Sequence, residues 1–297
     1  MRQGTTGNGL VEDVTLRAED GYRLEAKRYV PDKPVRAHLI VAGATGVPQG
    51  YYRRFAEYAR DRGFTVLTLD YRGIGLSRPE KLKQLDMSYL DWARLDLAAA
   101  VDVMARPEIP LFIVGHSFGG HAFGLLPNHR KVAGLYTFAT GAGWHGWMPR
   151  LESLRVRLMW NLVLPPLTLL KGYSPWKMLG LGEDLPAGVF WQWRRWCRFP
   201  HYFFDDPAMP GISEQYATVT SPIVAANALD DLWALPRSRN AFMRAYRNAP
   251  VACIDIDPKL IEGRIGHMGY FKANSQRLWD EALACFAGWM GQSACVE

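Results

Sequence analysis

Hydrophobic and polar positions follow three regimes along the chain. Residues 11 to 30 (VEDVTLRAEDGYRLEAKRYV) carry two alternating segments around Glu19-Asp20-Gly21, a pattern that predicts a β-hairpin. The regime then changes. AHLIVAGA (37–44), FTVLTLDYRG (64–73), LFIVGH (111–116) and VAGLYTFAT (132–140) are short apolar runs that predict buried strands. Between them, YYRRFAEYARDRG (51–63) has amphipathic helical spacing ending on a glycine, and SYLDWARLDLAAAVDVMAR (88–106) predicts a second helix. Repeated β-α-β units with unbroken apolar strands imply a mostly parallel sheet covered on both faces.

From 144 to about 217 the alternation stops. This stretch lacks clear strands, breaks its short helical pieces with prolines, and carries 7 of the 11 tryptophans. Afterwards SPIVAANALDD, RSRNAFMRAYRNA, VACIDID and NSQRLWDEALACFAGWM resume strand, helix, strand, helix. The expected organisation is an α/β core from 1–143 and 218–297, with 144–217 inserted as a lid over the carboxyl ends of the strands, where such sheets bind ligands. Its tryptophans, with LMWNLVLPPLTLL (158–170), exceed what a short insertion buries against itself. Part of that surface is therefore expected to line an apolar ligand pocket.

Composition narrows the function classes. With 48% apolar and 22% charged residues, the 297-residue chain has the balance of a soluble globular protein. The net charge of +6 includes no block of five Lys or Arg, so no nucleic-acid partner is expected, while a mildly basic face toward anionic lipid stays open. The opening MRQGTTGNGL has no apolar signal core, and 158–170 is interrupted by Asn161 and Pro165-Pro166 and is too short for a transmembrane span. Cys197, Cys253, Cys285 and Cys295 show no metal spacing and are expected to pack as small hydrophobes in a reduced, cytoplasmic protein. No H-E-x-x-H or P-loop occurs, so neither metal nor cofactor is expected. GAGWHG (141–146) has dinucleotide-motif spacing but leads into the irregular insertion and lacks a suitably placed acid.

Chemistry concentrates at GHSFGG. The pattern G-x-S-x-G around Ser117 is expected by chance roughly 0.09 times in a chain of this composition. One reading is a glycine turn with a capping serine. The other is a strained strand-to-helix elbow that lifts the Ser117 hydroxyl off the sheet, with no room for side chains at Gly115 and Gly119. A serine hydroxyl needs a base, and the base needs an orienting acid. Of seven histidines, His267 lies just after the last predicted strand, in a loop that emerges at the same sheet edge. His38 is expected to be structural, His116 lies inside the elbow, His121 and His129 follow it, and His145 and His201 belong to the insertion. ANALDDLWALP (226–236) ends the preceding strand with Asp230 and Asp231. Ala228 before it and Pro236 after it favour Asp231 as the acid, with Asp230 capping.

The order Ser117, Asp231, His267, together with GHSFGG, DYRGIGLS (70–77), ALDD and GHMGYF, resembles the α/β-hydrolase superfamily from about residue 10 to 290. AGATGVPQGYYRRFA (42–56) is similar to a bacterial group of hydrolases within it, with Ala42 where His is commoner. The resemblance implies an oxyanion hole from the backbone N–H groups of Ala44 and Phe118. It also implies a serine hydrolase that acts on a carboxylic ester, a small-molecule acyl substrate, through an acyl-enzyme on Ser117. The alternatives are an acyltransferase with the same triad and a non-catalytic ligand-binding homologue.

Overall fold

The structure, a computed structural model, describes residues 9–293. The hairpin forms as β1 (Leu10–Arg17) and β2 (Arg23–Val30), paired antiparallel. β3 (Ala37–Ala42) leads through a 3-10 turn into helix α1 (Arg53–Arg60) and β4 (Phe64–Leu69). The expected helix over 88–106 begins only at Asp91. It runs π-helical through Trp92–Leu97 before becoming α2 (Ala98–Met104). β5 (Leu111–His116), α3 (Phe118–Ala122) and β6 (Gly134–Phe138) follow.

Residues 144–217 are more regular than their composition suggests. α4 (Arg150–Leu158), a π-helical turn (Met159–Val163) and α5 (Leu164–Lys171) form one continuous helical rod. Pro165 and Pro166 do not break it, because they occupy the first turn of α5, where a missing N–H is tolerated. Contrary to the expectation of no strands, β7 (Tyr173–Ser174) and β8 (Leu185–Pro186) pair antiparallel. α6 (Ala187–Trp196) and α7 (Ile212–Ala217) return the chain to β9 (Ile223–Ala228), α8 (Pro236–Met243), β10 (Val251–Ile256) and α9 (Gln276–Ser293).

The eight-stranded sheet has the order β1-β2-β4-β3-β5-β6-β9-β10. It is parallel from β4 to β10, with the hairpin antiparallel at one edge. Every residue of β4, β5 and β6 is buried, because consecutive side chains enter cores on opposite faces. Leu39 and Val41 pack with Phe55 and Trp279, while Ile40 and Ala42 pack with Trp92 and Phe118. The second core continues into the insertion through Trp160, Trp176, Phe190 and Trp196. Of the cysteines, Cys197 is buried and Cys285 half-buried, but Cys253 is exposed because β10 is the sheet's edge strand. Cys295 lies outside the described residues.

Candidate active site

Strand β5 ends in a conformation most residues avoid. Ser117 has φ 52° and ψ −107°. The strain is held by its neighbours: the Ser117 N–H donates to Phe138 O at 2.9 Å, and Ser117 O accepts from Gly120 N–H at 3.0 Å and from Thr140 Oγ1 at 2.9 Å. Glycine is a steric requirement on both sides. A Cβ on Gly119 would lie 1.9 Å from Ala42 O, and one on Gly115 would lie 2.7 Å from Gly120 N.

The carboxyl edge of the sheet brings the three expected side chains together. His267 Nε2 lies 3.0 Å from Ser117 Oγ, and His267 Nδ1 lies 2.9 and 3.1 Å from the two oxygens of Asp231. An ionised carboxylate only accepts, so Nδ1 carries the proton and the Nε2 lone pair faces the serine hydroxyl. Asp231 is fully buried and also accepts from the backbone N–H groups of Trp233 and Ala234, at 3.0 and 3.1 Å, and from the Tyr270 hydroxyl at 3.3 Å. The adjacent Asp230 has a different task. It accepts from Ile265 N–H and Gly266 N–H, at 3.1 and 3.0 Å, and so fastens the main chain that carries His267.

The remaining histidines make other contacts. His38 Nδ1 donates to Met104 O at 2.6 Å, and His121 Nε2 donates to Gly141 O at 2.9 Å. His129, His145 and His201 bond to Thr218, Ser153 and Asp205. His116 makes two contacts that its sequence context conceals. Its Nε2–H donates to the carbonyl of His267 at 2.9 Å, which leaves Nδ1 to accept from the Tyr52 hydroxyl at 3.0 Å. Burial holds His116 neutral, pushed down to about 3, with nearby His267 acting in the same direction.

Tyr52 in turn accepts from the Ala44 N–H at 2.7 Å. The two expected oxyanion donors therefore differ. Phe118 opens α3, and its N–H has no intrahelical acceptor. The Ala44 N–H is already committed to Tyr52.

Two cavities meet at Ser117 and His267. One runs past Ala44, Val47, Trp176, Leu181 and Trp193. The other, narrower, passes His121, Met148, Trp160 and Cys197. Gly141–Gly146 opens no α-helix, only a 3-10 turn at His145–Trp147, so it offers no helix end to a dinucleotide phosphate. Among the described residues no cluster of metal-ligating side chains occurs, and no helix is long and apolar enough to cross a membrane.

A protein of Schizosaccharomyces pombe provisionally named a monoglyceride lipase is 34% identical over 112 residues, 36% of this chain and 29% of that protein. Esterase FrsA of Yersinia pestis is 28% identical over 114 residues, 37% of this chain and 27% of its own. The matches thus span under a third of either relative. Among solved structures, the Pyrococcus furiosus esterase Pf2001 superposes with a TM-score of 0.59 at 14% identity, covering 95% of this chain and 93% of that one. The model of the alpha/beta hydrolase family matches residues 39–283, and the chain belongs to that family.

Proposed function

We propose that the protein is a serine hydrolase of carboxylic esters. The observation that carries this reading is the unbroken chain from Ser117 Oγ through His267 to buried Asp231. Ser117 Oγ attacks the ester carbonyl as His267 Nε2 takes its proton, and Asp231 stabilises the imidazolium that forms. The carbonyl oxygen gains negative charge, for which the Phe118 N–H is the available donor. The Ala44 N–H joins it only when its bond to Tyr52 opens. The imidazolium then protonates the departing alcohol, leaving an acyl group on Ser117. Water, deprotonated by the same histidine, releases the acid.

Residues 144–217 act as a lid in this reading. Their tryptophans wall both cavities, which supports an apolar acyl group on one side of the serine and the alcohol on the other. Relatives named as an esterase and as a lipase support ester over amide chemistry.

The test is covalent labelling with a fluorophosphonate, followed by turnover on ester, thioester, lactone and amide panels. Wild type should label and hydrolyse esters, and Ser117→Ala should do neither. A wild type that neither labels nor turns over any acyl substrate overturns the reading. Added alcohol or amine acceptors that divert the acyl group from water would make the protein a transferase.

A further inference from the structure

The rod formed by α4, the π-helical turn and α5 is apolar on two sides. Its inner side, Val156, Trp160, Leu164 and Thr168 at steps of four, is buried. Its outer side carries Leu151, Leu154, Leu158, Leu162 and Leu169 at steps of three, four, four and seven, and all are exposed, Leu151 by 83%, Leu162 by 65% and Leu169 by 74%. Leu170 and Met178, near the C-terminal end of the rod, are exposed as well. A surface helix ordinarily buries one stripe and shows water a polar one, and a contiguous exposed apolar face marks a binding surface.

Charge decides what binds there. Residues 150–179 contain five cations, Arg150, Arg155, Arg157, Lys171 and Lys177, and one acid, Glu152. Glu152 is turned inward, where it pairs with Arg155 at 3.0 Å and accepts from Trp233 Nε1 at 2.6 Å. Among the described residues Arg150, Arg157, Lys171 and Lys177 have no carboxylate partner. The outer face is therefore leucine rimmed by unneutralised cations, the pattern of a helix lying in the interface of an anionic membrane. A second copy of this chain would bring the same positive rim against it, which disfavours self-association. The rod also supplies Arg155 to the wall of the cavity at Ser117, and the stretch that follows it supplies Trp176, Gly180 and Leu181.

We propose that the outer face of the 150–171 rod docks on an anionic phospholipid surface and holds the active-site cavity beside the lipid. Docking itself is independent of the hydrolase reading. Only its consequence, that the ester is drawn from the lipid phase, rests on that reading.

The experiment is co-sedimentation of the full chain carrying Ser117→Ala with phosphatidylcholine vesicles, with and without phosphatidylglycerol. The protein should pellet with the anionic vesicles and be released as salt rises. Replacing Leu151, Leu162, Leu169 and Leu170 together by Ser should weaken binding at least about tenfold. The reversal Arg157→Glu with Lys171→Glu should weaken it by about the same factor on anionic vesicles only. With Ser117 restored, the leucine variant should keep the wild-type rate on a short water-soluble ester and an unchanged circular dichroism spectrum, since these side chains line neither cavity. Protein that stays in the supernatant, or leucine variants that bind as well as their parent, overturns the proposal. A dimer that the leucine variant dissolves would assign the face to a second copy instead. Vesicle binding by a protein that no fluorophosphonate labels when Ser117 is present would overturn the reaction and leave docking standing.

Discussion

The sheet and the rod inserted above it use the same amino acids to opposite ends. In β4, β5 and β6 every apolar side chain has a partner, one face against α1 and α9 and the other against the π-helical stretch Trp92–Leu97 and α3. In the rod most do not: Leu151, Leu154, Leu158, Leu162, Val163, Leu169 and Leu170 are all exposed. The difference teaches where each region is constrained. The sheet edge must hold three side chains within tenths of an ångström, and it is packed accordingly. The rod fixes only an inner row of tryptophan and leucine, and its outer row is free to meet something else.

This contrast can be broken at the site first. Ser117→Ala and His267→Ala should each lower kcat by at least about 10⁴-fold while the melting temperature stays near wild type, because triad members act as a unit. Asp231→Asn should approach the same loss, since only that carboxylate fixes the His267 tautomer. Asp230→Asn, which loosens the loop's main chain, should cost about 10²-fold or less. The opposite ranking in steady-state rates would exchange the two roles.

The packing claim is tested by Gly119→Ala. Its Cβ must displace the Ala42 carbonyl, so urea unfolding should show a loss of about 3 kcal/mol. Leu169→Ser on the rod's outer face should change stability by less than about 0.5 kcal/mol.

Acid should act on the sheet side. Burial pushes His116 down to about 3 and His121 down to about 4. Both stay neutral in the folded chain, while in the unfolded chain they take up protons below about 6.5. The stability tied to their neutral forms is therefore full above pH of about 6.5 and is lost as pH falls toward 4 and 3. Each contributes a slope of about 1.4 kcal/mol per pH unit. Stability measured from pH 7 to pH 4 should show this decline, and His121→Phe should flatten it.

The smallest effect concerns the cavity walls. If Trp160, Trp176 and Trp193 border the acyl site, kcat/KM should climb severalfold per two carbons added from acetate upward and level off where the pocket ends, because each buried methylene contributes about 0.8 kcal/mol at most. A flat profile would place the tryptophans in packing alone.

Much of the site was legible because its constraints are local. Gly115 and Gly119 flank the elbow in sequence, and the strand ends that carry Asp231 and His267 announce themselves as apolar runs. Asp230 and Asp231 were separable by what precedes and follows them. What escaped depends on distant partners. Tyr52 meets His116 across 64 positions and His116 meets the His267 carbonyl across 151, and no short motif encodes either contact. The committed Ala44 N–H follows from the same hidden tyrosine. Within LMWNLVLPPLTLL, composition cannot tell inward from outward. Trp160 and Leu164 turn into the core, whereas Leu162, Leu169 and Leu170 turn to water, a division set by a continuous helix that the two prolines appeared to forbid.

Asp230 grips the main chain at 265–266, His116 grips the carbonyl of His267, and Asp231 grips its ring. The His267 side chain and carbonyl are thus held chiefly from the ends of β5 and β9. Glu262 and Gly263, exposed just upstream, take no part in these contacts, while Arg264 pairs with Asp230 at 3.8 Å. Lengthening the loop at Glu262–Gly263, which supplies none of these grips, is therefore expected to leave the histidine in place and the rate near that of the parent chain.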